Sequence, residues 1–249
     1  MHPILFRIGN FTFYTYGVFV FLAFITVLWM AYKESKAFNL SPSFIIDLGL
    51  VIIIGGLAGG KLAYFLINPQ ELLPSLLHPG YWRGGFVFLG GLSSGFLSGF
   101  FFIRKKGEDI KRVSYFLTPY IPLGQAIGRL GCFFNGCCFG RPTSLPWGMV
   151  FPLSSPAGYH YGSLPLHPTQ LYSCLFNLFL FLLLWKWRRK RKFLWSLFPL
   201  YLAIYLTFRG IMEFLRGDVI LLFPGITLLH LLIIPGYILS FWWWRRWRI

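Results

Sequence analysis

An all-helical protein that crosses a lipid bilayer about seven times is the fold class predicted by three features of the sequence. The 249 residues are 56% hydrophobic and only 12% charged, against about 25% charged in ordinary soluble domains. Apolar residues gather into seven runs, roughly 11–32, 44–67, 86–103, 113–131, 169–185, 194–214 and 220–244, several long enough for a bilayer-crossing helix. The 23 Lys and Arg against 7 Asp and Glu give a formal charge of +16, and the basic residues flank the apolar runs. In a soluble protein that excess would suggest nucleic acid. Segregated in this way it follows membrane topology instead, and no nucleic-acid partner is expected.

The N-terminus, Met1-His2-Pro3-Ile4-Leu5-Phe6-Arg7, shows neither a basic leader region nor a small-residue cleavage site. The first run, from Phe11, is therefore expected to be a retained span. Lys33 and Lys36 follow it. The second and third runs carry Gly55-Gly56, Gly59-Gly60 and then Gly91, Gly95 and Gly99, small residues at helical spacing that let two helices approach closely in lipid. Arg104, Lys105, Lys106, Lys111 and Arg112 follow the third run. The fourth is interrupted by Pro119, Pro122, Gln125 and Arg129, and a broken span of that kind belongs against protein or a polar cavity. After it, residues 132–168 are rich in Gly, Pro and Ser and are expected to form a small head outside the bilayer. The whole chain then reads as a single membrane-embedded domain with that head inserted between spans four and five.

Lys186 to Lys192 after the fifth run and Arg245, Arg246 and Arg248 after the seventh complete the pattern. With seven spans, sixteen of the 23 basic residues fall on one side. The positive-inside rule then puts the N-terminus outside and the C-terminus in the cytoplasm. Trp185, Trp187, Trp195 and Trp242 to Trp244 with Trp247 mark the cytoplasmic interface as an aromatic belt. No internal repeat supports an inverted-repeat transporter.

Cys132, Cys137 and Cys138 sit close in sequence, and Cys174 stands apart. They lack the paired CxxC or added His of a zinc site. They read as small buried residues, and no metal is expected.

Ionisable residues inside a bilayer are costly and point to function. At ~1.5 Å per residue, Arg129 lies about 24 Å from the cytoplasmic end of span four, Arg209 about 22 Å along span six and Lys61 about 26 Å along span two. All three fall in the outer third of a core ~30 Å thick, as does Tyr16. Tyr205, Arg209, Glu213 and Arg216 share one helical face, and Arg209 and Glu213 can pair within a turn. Such a cluster suits a lipid phosphate, because arginine meets phosphate oxygens with a planar fork. The bland alternative is that Arg129 and Lys61 snorkel to the interface and that Arg209–Glu213 is a structural pair.

Gly128-Arg129-Leu130-Gly131-Cys132-Phe133-Phe134-Asn135-Gly136-Cys137-Cys138-Phe139-Gly140 resembles the signature of the bacterial prolipoprotein diacylglyceryl transferases. His167-Pro168-Thr169-Gln170-Leu171-Tyr172 and Phe208-Arg209 with Glu213-Phe214 and Arg216 resemble two further boxes of that family. Tyr16-Gly17 and Gly60-Lys61-Leu62-Ala63-Tyr64 match as well, with Lys in place of the commoner Arg. The boxes keep the family's order over most of the chain, which is far more specific than one short motif.

The resemblance implies an inner-membrane enzyme acting near the outer leaflet on two partners, phosphatidylglycerol and the signal peptide of a preprolipoprotein with its lipobox cysteine. It implies catalytic roles for Arg129, Arg209, His167 and Glu213, to which the shared helical face adds Tyr205 as a catalytic candidate. It implies substrate contacts from Arg129, Gly131, Asn135, Tyr16, Lys61, Gln170 and Arg216, and no cofactor. Two positions depart from the family. Its FHGG or FYGG box reads Phe88-Leu89-Gly90-Gly91, and a common acidic position is Tyr115. His167 is the imidazole left near the site, either as a base or as a structural hydrogen-bonding residue. A divergent lipid-binding or transport protein of the same fold is the rival reading.

Overall fold

The computed structural model describes residues 4–9, 11–72, 85–190, 197–219, 221–223 and 226–247. The fold is nearly all-α. Nine α-helices run through the described residues: α1 (Thr15–Glu34), α2 (Pro42–Ile67), α3 (Phe88–Lys105), α4 (Ile110–Leu117), α5 (Tyr120–Asn135), α6 (Pro156–Tyr161), α7 (Thr169–Arg189), α8 (Leu197–Leu215) and α9 (Leu228–Trp247). Among the described residues, four helical stretches are long and apolar enough to cross a membrane: Thr15–Phe38, Pro42–Ile67, Thr169–Arg189 and Leu197–Leu215. Lys192, Leu194, Trp195 and Arg248 lie outside the described residues.

Three of the expected spans begin or run differently. Phe11 does not open a helix. Phe11–Tyr14 is a strand, β2, paired antiparallel with β1 (Ile4–Ile8). β-Branched and aromatic residues crowd both segments, and Gly9 at φ +55° ends β1, so the hairpin signal competes with the hydropathy. The fourth run is two helices, α4 and α5, separated at Thr118-Pro119. Proline cannot donate to the carbonyl a turn behind it. In the seventh run the helix, α9, starts at Leu228 rather than 220, after a short hairpin of β3 (Leu221–Phe223) and β4 (Ile226–Thr227).

The chain forms two compact units, Met1–Trp29 with Ser114–Ile249, and Met30–Val113. In the second unit α2 and α3 pack along their small residues. Ser41 caps α2 by accepting from the Phe44 amide at 3.1 Å, and Pro42 opens the first turn. A Cβ on Gly95 would meet the Ile52 carbonyl at 3.1 Å, and one on Gly91 would meet the Gly56 carbonyl at 3.1 Å. Ser94 Oγ crosses the seam to donate to the Gly55 carbonyl at 2.9 Å. Dispersion at close range and one interhelical hydrogen bond therefore hold this pair, as expected where lipid removes the hydrophobic driving force.

In the first unit α5 packs on α7, and α8 on α9. Thr169, Gln170, Ser173 and Asn177 are all buried along α7. Phe176 stacks on Phe208 with centroids 3.7 Å apart, joining α7 to α8. Ser240 Oγ donates to the Pro199 carbonyl at 2.7 Å, joining α9 to α8. The break at Pro119 is closed by Arg188, which is 1% exposed. Its guanidinium donates to the Phe116 carbonyl and to Tyr120 Oη, lying 4.8 Å from the Tyr120 ring centroid. The Tyr115 hydroxyl donates to the Arg188 carbonyl at 3.1 Å. Tyr115, the position that is often acidic in the resembled family, thus serves this junction.

Candidate active site

The site grows from the C-terminal end of α5. Gly136 at φ +71° ends the helix, the Gly136 amide bonds to the Phe133 carbonyl at 3.1 Å, and the Cys137 amide bonds to the Cys132 carbonyl at 3.1 Å. This is a Schellman turn, which needs a left-handed residue and favours glycine. The turn leads into the small head, where Phe139, Phe151, Ala157 and Leu166 form a core with Phe133, Met149 and Tyr161 around it. The Arg141 amide then donates to the Leu215 carbonyl at 2.8 Å, and the Gly217 amide to the Phe139 carbonyl at 3.0 Å. The NGCCFG loop is thereby tied to the end of α8 by main-chain bonds. The loop and the FRxxxEFxR box, 75 residues apart, become one construction.

That construction gathers the arginines. Arg129 on α5 interacts electrostatically with Tyr205, Cys132, Cys138 and Arg216. Arg209 on α8 interacts with Arg216, Glu213, Arg129 and Tyr205. Tyr16 on α1 interacts with Arg129 and the three neighbouring cysteines. Carboxylates engage two of the three arginines. Arg209 Nη1 is 2.7 Å from Glu213 Oε2, with 16% and 5% of the two side chains exposed. Arg216 holds Asp218 through two parallel bonds of 2.8 Å. Burial works against the Arg216 charge, but the Asp218 carboxylate more than offsets it and holds its pKa above the usual guanidinium value. Arg129 has no carboxylate partner among the described residues, which leaves a buried positive surplus at the centre of the cluster.

The remaining predicted residues separate by role. Both Glu213 oxygens are engaged, since Oε1 accepts from Thr227 Oγ1 at 3.2 Å and Thr227 in turn meets His230 Nδ1 at 3.0 Å. Tyr205 stacks on Tyr201, whose hydroxyl donates to Gln125 Oε1 at 3.1 Å. A Cβ on Gly131 would come within 2.8 Å of Phe19 Cβ, so this glycine admits α1 against α5. The Asn135 side chain lies near the Cys137 sulfur. Gln170 is fully buried. Its Nε2 donates to the Cys137 carbonyl at 2.9 Å, while Oε1 has no donor among the described residues.

The His167 main chain bridges Gly140 and Arg141, and its Nδ1 lies 3.3 Å from the Tyr172 hydroxyl. That hydroxyl accepts from Trp147 Nε1 at 2.7 Å. Lys61 belongs to the other unit. Its ammonium donates to the Gly85 carbonyl at 3.5 Å and faces the Tyr64 and Phe65 rings.

Asp218, Thr227, His230, Tyr201 and Trp147 were not singled out from sequence, and Gln125 was read only as an interruption of the fourth run. Only Asp218 offered a signal, an acid two residues after an arginine. The three sulfurs of Cys132, Cys137 and Cys138 lie within 4.8 Å of one another. They are the group among the described residues with the donor chemistry to hold a metal.

The family model described as prolipoprotein diacylglyceryl transferase matches residues 3–246. The chain belongs to the prolipoprotein diacylglyceryl transferase family. It is 37% identical over 223 residues to the phosphatidylglycerol–prolipoprotein diacylglyceryl transferase of Clostridium tetani, covering 88% of this chain and 86% of that protein. The same enzyme of Bordetella avium is 38% identical over 220 residues, covering 86% and 81%. That of Legionella pneumophila strain Lens is 32% identical over 257 residues, covering 99% and 97%. Membership in this transferase family accounts for boxes so far apart in sequence meeting around one arginine cluster.

Proposed function

We propose that this chain transfers the diacylglyceryl group of phosphatidylglycerol to the lipobox cysteine of preprolipoproteins in the bacterial inner membrane. The cysteine thiolate attacks the lipid CH₂ that carries the phosphate. A carbon–sulfur bond forms, the carbon–oxygen bond breaks, and its electron pair leaves with the phosphate oxygen as glycerol phosphate. The thiol proton is lost to solvent. The chain crosses the membrane seven times in this reading, with its N-terminus outside, and the reaction lies near the outer leaflet.

The observation that carries the proposal is Arg129, without a carboxylate partner among the described residues, beside Arg209, Arg216 and Tyr205. A phosphate seated there supplies the missing counter-charge. The charge developing on the leaving oxygen meets donors already held in place in a low-dielectric site, where they act strongly. Arg129 and Arg209 are the phosphate clamp, and Glu213 holds Arg209 rather than moving a proton. Gln170 Oε1, buried without a donor, is an acceptor for a glycerol hydroxyl. Asn135, Tyr16 and Arg216 complete the wall. His167 positions the head loop through Tyr172.

The test is thioether formation on a lipobox peptide in phosphatidylglycerol vesicles, read with glycerol phosphate release. Both products are expected from the wild-type protein and neither from Arg129→Ala. Lipid binding by the wild-type protein without glycerol phosphate release refutes the proposal.

A further inference from the structure

We infer that Cys132, Cys137 and Cys138 form a three-thiolate site for a thiophilic d10 cation of the zinc class, at the junction of α5 and the head. The sequence argues against it, because C-x4-C-C is no zinc knuckle. The fold supplies the convergence by another route. The Schellman bond from the Cys137 amide to the Cys132 carbonyl turns residue 137 back over residue 132. Cys138 then takes φ +59°, a conformation that non-glycine residues adopt rarely. Its carbonyl accepts from Thr169 Oγ1 at 2.7 Å, and the Cys137 carbonyl accepts from Gln170 Nε2 at 2.9 Å. Two α7 side chains thus hold the turn that brings adjacent cysteines to one point.

The distances fit a metal. All three sulfurs lie within 4.8 Å of one another. Zinc–sulfur bonds of ~2.3 Å set the sulfurs of a tetrahedral site about 3.8 Å apart, so closing the site needs shifts of about 1 Å or less. Three sulfur donors without a carboxylate select soft or borderline ions over magnesium and calcium. A fourth position stays open to water or another donor. Binding Zn²⁺ releases three thiol protons and leaves a complex of charge −1, which the neighbouring Arg129 and Arg216 offset. Asn135, whose side chain lies near the Cys137 sulfur, is placed to offer the outer hydrogen bond that metal thiolates use. The ion would staple the last turn of α5 to the entry of the head. Nothing in this depends on the transfer reaction.

The experiment is a Co²⁺ titration of the full chain in detergent, reduced and stripped of metal, followed by thiolate-to-cobalt charge-transfer absorption. One ion per chain is expected, displaced by Zn²⁺ and accompanied by a higher melting temperature. Loss of an outer partner alone costs ~10- to 100-fold in affinity, so Cys138→Ser should lose at least that much. Cys174→Ser should bind as the wild type does. Absence of the charge-transfer band in wild-type protein with its thiols counted as reduced overturns the inference without any variant. So does a band that survives Cys132→Ser and Cys138→Ser unchanged.

Discussion

Arg209 and Lys61 carry the same charge but not the same task. Arg209 gives one nitrogen to Glu213 and, in the proposed clamp, offers the rest of its planar fork to phosphate, whereas lysine offers a point charge. Lys61 is held by a carbonyl and two rings. Arg209→Lys is therefore expected to lower kcat/KM at limiting phosphatidylglycerol by more than ~10-fold, the scale of one charge-assisted hydrogen bond. Lys61→Arg should change it less. Equal kcat/KM for Arg209→Lys and wild type would contradict the clamp.

His167 allows a sharper separation. Its ring meets Tyr172, which Trp147 already holds, and its main chain stitches the head loop. A positioning role predicts that His167→Ala lowers the rate at every pH without changing the shape of the profile. Tyr172→Phe should do the same, more weakly. Loss of one ionisation from the His167→Ala profile would return the residue to proton transfer.

At the scale of elements, the glycine seam between α2 and α3 was legible because small residues at helical spacing have one physical use in lipid. The break between α4 and α5 was half legible. Pro119 announced it, but nothing local announced that Arg188, about 70 residues later, would close it. The hairpins were missed because their residues are as apolar as those of a span, and hydropathy counts apolarity without asking for the period. Gly95→Val tests the seam. Its Cβ would press on the Ile52 carbonyl, and overpacking of this kind costs ~1–3 kcal/mol. A lower melting temperature in detergent is the expected outcome, with Gly107→Ala at an open position showing what a strained exposed glycine costs by itself.

Across the whole molecule, the candidate site was legible as a set of residue types at one depth, not as a set of partners. Arg129 and Arg209 could be grouped by counting turns along their helices, with Tyr205 on the face of Arg209, but the same count added Lys61, which belongs to the other unit. That Asp218 takes up Arg216 is a contact between residues two apart and had a local signal. That Thr227 holds Glu213 depends on the chain folding back through the β3–β4 hairpin and has no local signature. Neither position that departs from the family supplies a base here. Tyr115 is committed to Arg188, and Leu89 is 70% exposed and cannot titrate. A thiol of pKa ~8.5 is already a few per cent thiolate at neutral pH. Leu89→His should consequently alter turnover by well under the ~10²-fold of an introduced general base, measured as initial rates of thioether formation. A gain of that size would mean that proton removal limits this protein.

Arg188 serves the molecule at two times. While the chain is entering the membrane, no helix has yet packed, and its charge counts with Lys186, Arg189 and Lys190 in deciding which end of α7 stays in the cytoplasm under the proposed orientation. Once α4 and α5 assemble, the same charge is withdrawn from water and spent on the Phe116 carbonyl. A neutral replacement would therefore leave two separable traces, one in newly made chains that choose the wrong side and one in correctly inserted chains whose helix junction is loose. Glycosylation mapping reads the first and melting of the purified protein reads the second.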